Sequence, residues 1–146
     1  MTRTGDIVLR VEEDPDAADV ALLDDHLSAF TIAESGHDDV RPVAVFARDG
    51  DGHVVAGIHG WTWGHCCELV TLWVAEASRG QGMGRALLAA AEAEARDRGC
   101  IQVTLFTHGF QAPELYVREG YDVVGILDDY PAGSATYWFK KRIHRS

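Results

Sequence analysis

One segment, "LWVAEASRGQGMGRALLAAAEAEARDRG" (72–99), constrains the fold more than any other part of the chain. An apolar run ends in glycines at positions 80, 82 and 84. It is followed by a stretch in which Leu87, Leu88, Ala91 and Ala95 fall on one helical face. Gly99 stops that helix, and the next apolar run, "IQVTLF" (101–106), reads as a strand. A strand, a tight turn and a helix followed by a second strand predict a parallel pair with a right-handed crossover. The rest of the sheet must be built around that unit.

The flanking sequence supplies the other strands. "DIVLRV" (6–11) reads as a first strand, and "DPDAADVALLDDHLSAFTIAES" as a helix. Asp14 is its expected cap, Pro15 suits a first turn, and Val20, Leu23, Leu27 and Phe30 recur at helical spacing. "VAVFAR" (43–48) and "VVAGIHGWTW" (54–63) are strand-like runs joined by the turn-rich "DGDGH", which predicts an antiparallel pair. "CCELVTLWVA" (66–75) leads into the glycines, "APELYVREG" (112–120) reads as a short helix, and "YDVVGIL" (121–127) and "ATYWFKKRI" (135–143) as final strands. The expected fold class is α/β (α+β): a mixed, mostly antiparallel sheet of about seven strands, with one parallel strand–helix–strand unit and flanking helices. No linker or repeat divides the chain, so a single domain over 1–146 is expected.

The glycines bring backbone N–H groups and a helix dipole towards an anion. Two common phosphate loops fail on spacing. From Gly80 the third glycine of G-x-G-x-x-G would fall on Arg85, and from Gly82 on Leu87. No Lys-Ser or Lys-Thr pair follows for a triphosphate loop. The pattern that does match is R-x-x-G-x-G, carried by Arg79, Gly82 and Gly84. A second motif follows in "APELYVREGY", where Ala112, Leu115, Tyr116, Gly120 and Tyr121 match A-x-x-L-Y-x-x-x-G-[FY].

With these two motifs and this element order, the chain resembles the GNAT superfamily of acetyl-CoA-dependent N-acetyltransferases. The resemblance covers nearly the whole chain and implies acetyl-CoA as cofactor. It places the coenzyme A pyrophosphate on the loop of Arg79, Gly80, Gln81, Gly82, Met83, Gly84 and Arg85. It also implies that the backbone of Leu72, Trp73 and Val74 pairs with the pantetheine arm, with an N–H near Trp73 or Val74 facing the thioester oxygen. Gly109 departs from the family, which often has Asn there, and one polar contact to the cofactor is thereby put in doubt.

Acetyl transfer to an amine needs a held thioester, a proton acceptor, an oxyanion site and a proton donor. Glu68 is the first choice of base. It lies six residues before Val74, the offset at which some family members carry a catalytic glutamate, and an acid inside an apolar run is partly desolvated and accepts a proton more readily. His65, His108 and a water relay are the alternatives. Tyr116 matches the tyrosine that the family places near the cofactor sulfur, and a phenol with a pKa of about 10 is a donor at neutral pH. Acceptor candidates are Phe30, Glu34, Trp61, Trp63, Asp128, Asp129 and Tyr130, since acids and aromatics together suit a cationic amine.

Composition narrows the partners. The formal net charge is -10, which repels phosphate backbones and argues against a nucleic-acid partner, a charged tRNA included. The apolar runs are too short and broken for a membrane span. The opening residues lack an apolar stretch of signal-peptide length, and the expected location is the cytoplasm. Cys66, Cys67 and Cys100 lack zinc-site spacing, so no metal is expected; they read as reduced, buried thiols. The leading function is an N-acetyltransferase moving acetyl to a primary amine of a small molecule by direct attack in a ternary complex. An antibiotic, a polyamine or an amino acid would serve as acceptor. A protein or peptide acetyltransferase and a non-catalytic acyl-CoA-binding module are the alternatives. The resemblance also allows a homodimer.

Overall fold

The computed structural model describes residues 2–144, and the chain forms two compact units that meet in sequence between His37 and Asp38. In the first unit, β1 (Thr2–Thr4) and β2 (Ile7–Leu9) form an antiparallel hairpin turned at Gly5, whose φ is 64°. The strand expected over 6–11 is therefore a three-residue piece that Gly5 folds back onto β1, outside the main sheet. Helix α1 (Ala17–Ser35) follows. Its cap is Asp16 rather than Asp14: Asp16 is extended, and its carboxylate accepts from the Ala18 N–H at 2.9 Å. Gly36, in the left-handed region, closes the other end with its N–H donated to the Ile32 carbonyl.

The second unit is one six-stranded sheet with helices. Its strands are β3 (Arg41–Arg48), β4 (Val54–Trp63), β5 (Cys66–Val74), β6 (Gln102–His108), β7 (Asp122–Asp128) and β8 (Ala135–Arg142), in the spatial order β3-β4-β5-β6-β8-β7. All neighbours are antiparallel except β5 and β6, which run parallel as the strand–helix–strand reading requires. The main sheet thus holds six strands, one fewer than expected.

Helix α2 (Met83–Asp97) lies on one sheet face. The four expected residues, Leu87, Leu88, Ala91 and Ala95, are buried there with Ala56, Ile58, Leu69, Val103, Leu105 and Phe139. The helix ends in a Schellman motif: the Cys100 N–H donates to the Ala95 carbonyl and the Gly99 N–H to that of Arg96, with Gly99 at φ 83°. Buried on the same helix face is Glu92, which accepts from the Tyr121 hydroxyl at 2.9 Å and from Lys141 Nζ at 3.0 Å. Short helix α3 (Glu114–Arg118) precedes β7. Among the described residues no helix is long and apolar enough to cross a membrane.

Candidate active site

The sheet splits where the parallel unit ends. Pairing of β5 with β6 stops at Leu69↔Leu105, while β5 stays on β4 as far as Val74↔Ala56 and β6 stays on β8 as far as His108↔Thr136. The two halves diverge, and the edge of β5 over residues 70–74 that faces β6 is left without a strand partner among the described residues. A β-bulge sharpens the split. The β4–β5 register slips between His59↔Thr71 and Gly60↔Leu69, which leaves Val70 as the extra residue. Gly60 is what allows it, because a Cβ there would overlap the Glu68 carbonyl.

The split opens a cleft of about 1240 Å³. One wall is Leu69 to Val74, the other is Leu105 to Thr107 with Phe110 and Gln111, and the glycine loop closes one end. The loop glycines serve different needs. Gly80 and Gly82 have φ of 74° and 77° with nothing within 4 Å of a would-be Cβ, so they are required for backbone conformation. Gly84 has no such φ; its missing Cβ would stand 3.2 Å from a Leu115 methyl, so it brings α2 close to α3. Gly82 caps α2 with no side-chain hydrogen bond and no acid in the first turn. The first helical bond runs from the Ala86 N–H to the Gly82 carbonyl, so the preceding N–H groups of α2 face the loop with the positive end of the helix dipole.

Of the residues expected at the cofactor, Leu72, Trp73, Val74, Arg79, Gly80, Gly82, Met83, Gly84 and Arg85 line this cleft. Gln81 does not line it; its side chain points back to donate to the Ala77 carbonyl. Arg79 braces the loop through Nε to the Val74 carbonyl at 3.0 Å, and Arg85 pairs with Glu119 at 3.4 Å. Gly109 has a close neighbour as well: a Cβ there would stand 3.2 Å from Ser134 Oγ, so a larger residue needs that side chain to give way by a few tenths of an ångström.

Tyr116 lies in the cleft wall, buried against Phe139 and edge-on to Tyr121. Burial pushes its phenol above the ordinary value, so the hydroxyl keeps its proton. Glu68 lies one residue before the split, half-buried on the sheet face opposite α2, with Trp61 and Thr104 as its cross-strand neighbours. Cys67 is buried, and burial lifts its thiol to about 12; Cys66 and Cys100 are raised for the same reason. Protonated thiols are poor nucleophiles.

The acceptor candidates scatter. Trp61 stands beside Glu68, and Trp63 lies two residues further from the cleft. Asp128 ends β7, Asp129 and Tyr130 begin the exposed turn to β8, and the Tyr130 ring stacks on His108 at 5.5 Å. Phe30 and Glu34 lie one turn apart on α1, in the N-terminal unit. His65 occupies the β4–β5 turn, at the end of β5 away from the glycine loop. Phe110 and Gln111 line the cleft and were not expected from sequence. No local pattern marks them, because they reach it only through the splay of β6.

These features coincide with a known family. The acetyltransferase (GNAT) family model matches residues 9–121, and the chain belongs to that family. An acetyltransferase of Agrobacterium fabrum is 35% identical over 127 residues, covering 87% of this chain and 93% of the relative. A blasticidin-S acetyltransferase of Streptomyces morookaense is 37% identical over 112 residues, covering 72% and 80%. The crystal structure of an Agrobacterium tumefaciens protein assigned as an acetyltransferase superposes with a TM-score of 0.88 at 33% identity, over 93% of this chain and 99% of that one. The protein is an acyltransferase enzyme, and acetyl-CoA is its cofactor. The cleft suits that group: free helix N–H groups for the pyrophosphate, then an unpaired strand edge for an amide-bearing arm.

Proposed function

We propose that the protein transfers acetyl from acetyl-CoA to a primary amine of a small molecule, by direct attack in a ternary complex. The observation that carries this reading is the split of the sheet, which runs from an uncapped helix N-terminus past a buried phenol and ends beside a half-buried carboxylate. Bound acetyl-CoA supplies an acetyl group activated as a thioester. Backbone N–H groups at the start of α2 hold its pyrophosphate, and the free edge of Leu72 to Val74 takes its arm as an added strand. An N–H of Trp73 or Val74 would donate to the thioester oxygen. Glu68 takes a proton from the ammonium, which frees the nitrogen lone pair, and Tyr116 gives a proton to the leaving sulfur. The raised thiols argue against a relay through an acetylated cysteine.

The kinship with a blasticidin-S acetyltransferase supports a small-molecule acceptor, an antibiotic among them. The family match also crosses from one compact unit into the other, which supports one catalytic domain over the whole chain. The test is an amine panel, including blasticidin S, diamines and lysine peptides, read as free CoA thiol. Turnover of small amines with none of peptides is the expected result; the reverse order would overturn the small-molecule assignment. Tyr116→Phe should lower kcat roughly a hundredfold, the low end for general acid–base catalysis, with acetyl-CoA affinity by calorimetry unchanged.

A further inference from the structure

On the sheet face that carries Glu68, β6 presents Thr104, Phe106 and His108 in alternate positions. Thr104 is the cross-strand neighbour of Glu68, so His108 stands four residues further along the strand, roughly 13 Å at ~3.3 Å per residue. Between them the exposed Phe106 packs on Trp138 at 5.6 Å and edge-on to His108. At the far end the His108 ring stacks on Phe110 and on Tyr130, both at 5.5 Å.

The hydrogen bonds fix the form of this imidazole. His108 Nδ1 lies 2.7 Å from Thr136 Oγ1, and Thr136 Oγ1 lies 2.7 Å from the Tyr130 carbonyl oxygen. A carbonyl only accepts, and a threonine hydroxyl has one hydrogen, so that hydrogen goes to Tyr130. Nδ1 must then be the donor to Thr136, and in the neutral ring Nε2 carries the lone pair. Thr136 is fully buried, so water does not compete for the hydroxyl. The chain has therefore built a fixed hydrogen-bond acceptor amid aromatic rings, roughly 13 Å along the sheet from the carboxylate.

We propose that the acceptor is an elongated molecule with a second hydrogen-bond donor, such as a second ammonium, which His108 Nε2 receives while the reacting amine lies at Glu68. The inference rests on the amine-acetyltransferase reading above. Phe106 and Trp138 are the floor on which the connecting chain lies, and the rings of Phe110 and Tyr130 favour a cation at the far end. Thr136 is a positioning residue that acts through the imidazole.

The experiment compares 1,9-diaminononane with n-nonylamine as acceptors for the full chain with acetyl-CoA, and reads the ring nitrogens of His108 by 15N NMR. A hydrogen bond to a charged donor should favour the diamine roughly tenfold in kcat/KM, beyond its doubled number of amines. In His108→Phe, which keeps an aromatic ring but offers no acceptor, that ratio should fall to near one. Thr136→Val should move the imidazole proton from Nδ1 to Nε2 and reduce the ratio, and Thr136→Ser should restore both. Equal rates for the two amines in the parent protein, or a ratio that His108→Phe leaves intact, overturns the inference alone. A protonated Nε2 with bare Nδ1 in the parent protein does the same. Absence of thiol release with every amine overturns the acetyl-transfer reading, and this inference falls with it.

Discussion

The glycine loop and the sheet face that carries Glu68 are made of different material. The loop of residues 79–85 is made mostly of backbone: two glycines held at positive φ, a helix start without a side-chain cap, and one arginine spent on the Val74 carbonyl. The sheet face is made of side chains on separate strands: Glu68 on β5, Trp61 on β4, Phe106 and His108 on β6, Trp138 and Thr136 on β8. Backbone chemistry suits a group common to many reactions, since N–H groups ask only for an anion. Side-chain chemistry suits a particular acceptor. On the proposed reading the loop receives the acetyl donor and the Glu68 face the acceptor.

The sharpest way to break this contrast is at Gly60, where the frame of the Glu68 face depends on the absence of one carbon. Gly60→Val places a Cβ onto the Glu68 carbonyl, and neither partner is a flexible side chain. A cost at or above the ~3 kcal/mol upper end for overpacking is expected, visible as a fall in denaturant midpoint. An unchanged midpoint would mean that β5 can abandon its bulge freely. Next is Glu68→Gln, which should reduce kcat about a hundredfold and leave acetyl-CoA affinity intact, with Glu68→Asp recovering part of the rate. Equal activity of Glu68→Gln and the parent would move the proton acceptor elsewhere on the face.

At the donor end the glycines can be set against one another. Gly82→Ala forces a side chain into the left-handed region at about 1–2 kcal/mol and should weaken acetyl-CoA binding by roughly tenfold in calorimetry. Gly84→Ala meets only the end of the Leu115 side chain and gains helix propensity, so its thermal midpoint should stay close to the parent's. If the two substitutions behaved alike, conformation would not be what the loop needs.

That asymmetry also explains what could be read in advance. R-x-x-G-x-G was legible because the residues that make an anion cradle are neighbours in the chain. The parallel pair was legible because a short turn and a helix leave the chain few ways to return. The face of α2 was found from its period, but Glu92 on that face was not: a glutamate reads as solvated until Tyr121 and Lys141, from β7's approach and β8, meet it. The face that carries Glu68 was legible in composition only. Trp61 and Tyr130 were named for their chemistry, yet Phe110 and Gln111 reach the cleft through the splay of β6, and the His108–Thr136 pair depends on register across β6 and β8, which no local spacing records. The first strand was overextended for a related reason, since Gly5 decides its partner by conformation.

The smallest expected effect concerns the cysteines, which lie on β5 beside Glu68 and on the approach to β6, yet belong to neither end of the cleft. A thiol raised by burial stays protonated until the pH approaches its folded value, and for Cys67 that value is about 12. The thiolate fraction at pH 8 is therefore lower than that of an ordinary cysteine, for Cys66 and Cys100 as well as Cys67. Incubation of the native protein with iodoacetamide at pH 8 should leave Cys67 unmodified by mass spectrometry and acetyl transfer unchanged, while the denatured chain takes the label. Rapid labelling of Cys67 with loss of turnover would return a thiol to the reaction. The direct attack on the thioester would then have to give way to a covalent relay.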